Sequence, residues 1–165
     1  MRVDRVTDTI GSGSSICRSV CLLMTLALLC GLVSGCRTLG LGRKTVVYFT
    51  CGPEINNGLI LAAELIWATE TEKRTILAIG PDRWWSSDHR RGLTEPHLTH
   101  IDLRGGQREQ VNLRRPNGAV VLIVFADYGG VTDPNAQQLV IAPRGIVRAQ
   151  RVRIRVGEDR LELIR

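Results

Sequence analysis

The last stretch of the chain alternates. Val152, Ile154 and Val156 fall on one side and Arg151, Arg153 and Arg155 on the other, which is the period of a strand with one face buried and one wet. Gly157-Glu-Asp159 turns it into another strand, Arg160-Leu-Glu-Leu-Ile-Arg165. Upstream, Ala119 to Tyr128 is apolar almost throughout and suits a strand in the middle of a sheet. Thr45 to Thr50 is β-branched and aromatic, and Leu59 to Trp67 is a second, mostly apolar strand, with Gly52-Pro53 and Asn56-Asn57-Gly58 between them. Leu98 to Leu103 and Arg108 to Leu113 flank Arg104-Gly-Gly-Gln107, the pattern of a hairpin, and Gln138 to Ala142 adds a short strand. After Trp67 the period changes. Thr69 and Glu72 have capping-box spacing, Gly80-Pro81 stops the helix, and a second short helix runs through Trp84, Trp85 and His89 toward Gly92. The pattern predicts a mainly β fold, a two-sheet β-sandwich of seven or eight strands with a helical insert at about 70–91.

One apolar run does not belong to that fold. Val20 to Val33 is 14 residues without a charge, preceded by Arg18. A bilayer-spanning helix needs roughly 20 such residues, whereas the core of an export signal needs about 7 to 15. The run ends in Leu32-Val33-Ser34-Gly35-Cys36, which resembles the lipobox of bacterial lipoproteins. That resemblance implies cleavage between Gly35 and Cys36 and acylation of both the Cys36 sulfur and the new amino terminus. The covalent lipid is the one non-protein group expected, and no other cofactor is. The alternative is an uncleaved signal anchor whose cysteine is incidental. Residues 1–35 thus read as a lipoprotein signal peptide, 36–42 as a lipidated tether and 43–165 as the sandwich.

Composition sharpens the picture once the leader is set aside. The chain has 165 residues and a net charge of +6, and the leader accounts for only one of those charges, with three arginines against two aspartates. Lys44 and Lys73 are the only lysines, so the arginine excess reads as general composition and no nucleic-acid partner is expected. The row Arg151, Arg153, Arg155 reads as a solvated face, with attraction to anionic phospholipid heads or an acidic partner as the sharper reading. Of five cysteines, three lie in the leader and Cys36 is the anchor. Cys51 is left as a small buried hydrophobe or, less simply, an intermolecular bridge.

Catalytic patterns are missing: the chain has no Gly-rich phosphate loop, no nucleophile elbow and no paired-cysteine or His-Glu-x-x-His metal motif. Neither an enzyme, nor a metal, nor a small-molecule substrate is expected. His97 and His100 point to opposite faces of a strand, while His100 and Asp102 share one, either as a solvated pair or as a weak candidate for metal or acid-base work in a hydrolase. Trp84 and Trp85 are adjacent on a helix and so point about 100° apart, one toward the sheet and one nearer solvent. They pack the insert, or one of them is an aromatic anchor for a partner.

The order of features is similar to that of the outer-membrane lipoprotein of the type VI secretion membrane complex. It comprises a lipobox, a short tether, a first strand, a loop rich in Gly, Pro and Asn, an apolar second strand with an aromatic near its end, a small helical insert, and then a hairpin into a strong hydrophobic strand. The resemblance implies a transthyretin-like sandwich anchored by Cys36 and projecting into the periplasm from the outer membrane. It also implies a non-catalytic scaffold that binds the periplasmic part of an inner-membrane secretion protein. The family's contact loop falls on Gly52–Gly58, which makes Pro53, Glu54, Ile55, Asn56 and Asn57 partner-binding candidates beside Trp84 and Trp85. Leu61, Leu65 and Trp67 match the family's second strand by pattern. Arg37 after Cys36 is not the aspartate that retains many lipoproteins in the inner membrane. The alternative is a pilotin-like or ligand-binding periplasmic lipoprotein of another envelope system.

Overall fold

The computed structural model describes residues 44–142 and 150–164; Gly35, Cys36 and the tether lie outside the described residues. Eight strands are present among the described residues: β1 (Lys44–Cys51), β2 (Leu61–Ala68), β3 (Leu98–Leu103), β4 (Arg108–Arg114), β5 (Val121–Ala126), β6 (Gln138–Ile141), β7 (Gln150–Val156) and β8 (Leu161–Ile164). Two helices, α1 (Glu70–Trp84) and α2 (Asp88–Arg91), stand between β2 and β3. The strands form two four-stranded sheets, ordered β4-β1-β7-β8 and β3-β2-β5-β6. All pairings are antiparallel except that of β1 with β7. The expected β-sandwich with a helical insert is the observed architecture, and Gly42–Arg165 is one compact unit.

Burial explains why some strands alternate and others do not. In β7 the even-numbered aliphatics are buried and the arginines exposed, because one face of the first sheet meets solvent. In β2 and β5 nearly every side chain is buried, because the second sheet is covered twice. Its inner face sets Leu61, Ala63, Leu65 and Trp67 against Val47, Phe49 and Ile154 of the first sheet. Its outer face sets Ile66, Ala68, Ile123 and Phe125 against Ile76 and Trp84 of the insert. The molecule therefore has three layers, and the insert is one of them. Cys51 is buried in the inter-sheet core, and burial raises its thiol pKa, in keeping with its reading as a small hydrophobe.

The turn at Arg104–Gln107 is not a hairpin. Strand β3 pairs with β2 and β4 with β1, so the turn carries the chain from one sheet to the other. Its glycines serve a close approach: a β-carbon on Gly105 would lie 2.1 Å from the Pro53 carbonyl oxygen. The second strand also starts later than its apolar run suggests, at Leu61, which leaves Leu59 and Ile60 outside the sheet.

The insert begins as expected. Thr69 Oγ1 accepts from the Glu72 amide at 3.3 Å and the Glu72 carboxylate accepts from the Thr69 amide at 2.8 Å, a reciprocal cap that holds the Glu72 pKa below the usual carboxylate range. Gly80 breaks the helix at φ 73° and ψ 165°, a conformation reached almost only by glycine. A helix this short is marginal by itself, so tertiary contacts must hold it.

The main one is a buried carboxylate. Glu64, on the outer face of β2 and fully buried, accepts from Trp84 Nε1 at 2.7 Å and from Arg90 Nη2 at 2.5 Å, with Arg90 Nε 3.0 Å from both of its oxygens. His100 Nδ1 lies 3.2 Å from the same carboxylate. The bond to Glu64 raises the Arg90 pKa. Trp84 also packs on Phe125 with ring centroids 5.4 Å apart, so one residue of the insert is both bonded and packed. Replacing Arg90 by Ala strands a buried anion and is expected to cost about 3–5 kcal/mol of unfolding free energy in urea titrations. A midpoint equal to wild type would show that the carboxylate does not clamp the insert.

Candidate partner-binding surface

At the end of the sandwich where β1 leaves the first sheet, the connection 52–60 is pinned from several sides. The Gly52 amide donates to the Val156 carbonyl at 2.9 Å, and the Gly52 carbonyl accepts from the Gly106 amide at 2.7 Å. Ile55 is fully buried and plugs the loop into the inter-sheet core. The Asn56 amide donates to the Glu158 carbonyl at 3.0 Å, while its side chain donates to the Ile60 carbonyl and accepts from the Gly129 amide, both at 3.0 Å. Asn56, Asn57 and Gly58 take φ values of 47°, 55° and 79° in succession. Asn and Gly are the residues that tolerate this left-handed region, so Asn-Asn-Gly suits the turn.

That scaffold displays a small apolar tip. Leu59 is 66% exposed and Ile60 49%, and both follow directly on the rigid turn. Pro53, Glu54 and Asn57 are exposed around them. Beside the tip is a polar cleft of about 410 Å³ lined by Asn56, Asn57, Tyr128–Val131, Glu158 and Asp159. The Tyr128 hydroxyl donates between the carbonyls of Arg160 at 2.8 Å and Gly157 at 3.2 Å, and burial, then the neighbouring Cys51 and Asp159, push its pKa well above the usual phenol range. It is a structural strut, not a proton donor to solvent. Gln137, buried, donates to the Val131 carbonyl at 2.7 Å and to Asp82 of α1 at 3.1 Å, and so ties the wall of the cleft to the insert.

The sequence-derived candidates divide accordingly. Pro53, Glu54 and Asn57 lie on the accessible loop. Ile55 and Asn56 are buried, and their contacts hold the loop from within. Trp84 is corrected in the same way: it is fully enclosed between Glu64 and Phe125, because the outer face of β2 and β5 needs a large apolar cover. Trp85 is half-buried, with the Arg90 guanidinium 5.5 Å from its ring centroid, so the adjacent pair does split into one inward and one outward residue. It sits on the insert, not in the loop cleft. The exposed pair Leu59 and Ile60 falls in the apolar run that predicts a strand from Leu59; the signal that sets it apart is its place immediately after Asn-Asn-Gly.

His100 and Asp102 do share a face, with Nε2 3.3 Å from Oδ1, but the other ring nitrogen faces Glu64, whose oxygens already accept from Trp84 and Arg90. No group of three or more His, Cys, Asp or Glu side chains suited to a metal ion occurs among the described residues. Leu61, Leu65 and Trp67 all point into the inter-sheet core. No helix among the described residues is long and apolar enough to cross a membrane.

No protein-family model matches the sequence, and neither does any curated protein. Solved structures do. A chain of a type VI membrane complex superimposes with a TM-score of 0.64 at 14% identity, over 74% of this chain and 98% of that one. The type VI secretion lipoprotein TssJ1 of Pseudomonas aeruginosa gives 0.60 at 15% identity, over 74% and 95%. A chain in the structure described as the TssM C-terminal domain from EAEC gives 0.62 at 14%, over 74% and 98%. The sandwich with its insert thus accounts for nearly all of each relative, and the chain has the fold of the type VI secretion lipoprotein TssJ.

The seat of the loop depends on one glycine. In Gly105→Ala the new methyl group meets the Pro53 carbonyl, backbone against backbone, so the 52–55 segment or the 104–107 turn must move. The expected outcome is a cooperatively folded protein, destabilised by about 1–3 kcal/mol, with altered amide shifts concentrated at residues 52–60 and 104–107. Unchanged shifts there would mean that the contact does not position the loop.

Proposed function

We propose that this protein is a non-catalytic lipoprotein, anchored in the outer membrane through Cys36. It acts as a scaffold component of a type VI secretion membrane complex and binds the periplasmic part of an inner-membrane protein of that machine. The observation that carries the reading is the superposition on nearly the whole of a chain from a type VI membrane complex, with the expected contact loop present as a pinned, solvent-facing structure. The lipobox supplies the anchor and the relatives' lipoprotein character supports it. Mechanistically, the anchor confines the domain to one surface and raises its effective concentration for a partner there. A preordered loop then presents Leu59 and Ile60 without the entropic cost of ordering a mobile segment.

Two outcomes follow. Cys36→Ala in the full chain is expected to abolish labelling by a palmitate analogue and to remove the protein from the outer-membrane fraction; full retention there with undiminished labelling sinks the anchor. Leu59→Asp together with Ile60→Asp is expected to leave the thermal midpoint unchanged, since both side chains are exposed, and to weaken capture of the partner's periplasmic domain about 30-fold or more, the loss typical of an interface hot spot. Undiminished capture would place the contact elsewhere.

A further inference from the structure

The outer face of the first sheet is basic. Along β7 the solvent-facing residues are Arg151, Arg153 and Arg155, and in register on β1 are Val46, Tyr48 and Thr50. On the far side of β1, Arg108 pairs with Thr50, and Arg114 with Lys44, where the described chain begins. Among the described residues, the one acid on the strands of this face is Glu162 of β8, 3.5 Å from Arg155, with both side chains largely in solvent. Successive outward residues on a strand are about 6.6 Å apart and neighbouring strands about 4.8 Å, so these cations cover a field roughly 20 Å long and 10 Å wide. The distribution is uneven among the described residues. On the insert, basic residues are interspersed with Glu70, Glu72, Asp82 and Asp88, whereas the row Arg151, Arg153 and Arg155 faces a single acid, Glu162. General arginine richness does not produce that contrast.

The geometry points to an occupant: we infer that this face rests on the anionic phospholipid surface of the membrane that holds the anchor. The inference rests on the lipid-anchor reading above. Cys36 precedes Lys44 by eight residues, a reach of at most about 29 Å when extended, and Lys44 opens the strand at the middle of the basic sheet. A domain on so short a lead stays within range of the headgroups, and this is the face that its charge would turn toward them. The layer order then becomes bilayer, first sheet, second sheet, insert. The loop 52–60, at the other end of β1, is left at the rim, where a partner can reach it. Each cation near an anionic bilayer contributes about a fivefold gain in partition, and the attraction decays within a Debye length, so the contact is sensitive to salt.

The test uses residues 42–165, the unit that carries its own closed core and to which the solved relatives correspond almost entirely. Lacking Cys36, it reports on the face and not on the anchor, whose failure is read separately from Cys36→Ala. With vesicles containing about one third phosphatidylglycerol in phosphatidylcholine, cosedimentation is expected at low salt and lost toward 1 M salt, where the Debye length is about 3 Å. Arg151→Gln with Arg153→Gln and Arg155→Gln is expected to lower partition about a hundredfold. A control of equal charge, Arg74→Gln with Arg83→Gln and Arg91→Gln on the insert, should change it no more than a few-fold. No binding by the unaltered domain, equal loss in the control, or equal binding to pure phosphatidylcholine would each overturn the inference. Tighter, arginine-dependent binding to polyglutamate than to vesicles would also overturn it, in favour of an acidic protein.

Discussion

Everything in this fold follows from a sheet whose two central strands have no wet face. Strands β2 and β5 are buried on both sides, so the second sheet needs a cover on each, and one sandwich partner supplies only one. The helical insert is the other. It is short, interrupted by glycine and apolar at few positions, which makes it a poor helix by propensity and a necessary one by burial. The single carboxylate set into that interface, Glu64, turns a loose apolar lid into a located one, because Trp84 and Arg90 must come to it in one geometry. A buried charge is a costly device for stability alone, and its use here is to fix where the third layer sits.

Much of this was legible from residue order. The alternation of β7, the continuous apolar run of β5, the Thr69–Glu72 cap and the break at Gly80 each carry a local physical signature that tertiary structure preserved. Other features left no such trace. The glycine pair at 105 and 106 announces a turn, but turn chemistry specifies a change of direction and is silent about which sheet the chain enters next. Glu64 within Leu-Ala-Ala-Glu-Leu-Ile looks like a solvent-facing interruption; only the arrival of Trp84 and Arg90, 20 and 26 residues later, makes it a core position. The candidate surface was half legible. The loop was identifiable from Gly, Pro and Asn, yet whether Ile55 or Leu59 pointed inward depended on a left-handed turn whose sense of rotation composition does not encode.

The loop and the basic face divide the exterior by chemistry. The loop is small, apolar at its tip and preordered by backbone bonds to both sheets, qualities suited to a specific protein contact. The sheet face is broad and cationic, suited to a surface that is itself broad and charged. Strand β1 connects them, with Lys44 in one and the approach to Gly52 in the other, so that strand sets the distance between whatever the two surfaces engage.

The parallel pairing of β1 with β7 has a consequence in time. The first sheet places its first strand between β4 and β7, and the register joins Thr45 to Gln150 across more than a hundred residues of chain. Closing a contact of that span is slow, and it cannot begin until the last tenth of the polypeptide is being made. Until then β1 lacks one of its two neighbours and the inter-sheet core lacks Val152, Ile154 and Val156. Synthesis from the amino end therefore delivers residues 1–35 long before the sandwich can close, leaving an interval in which β1 waits for its parallel neighbour.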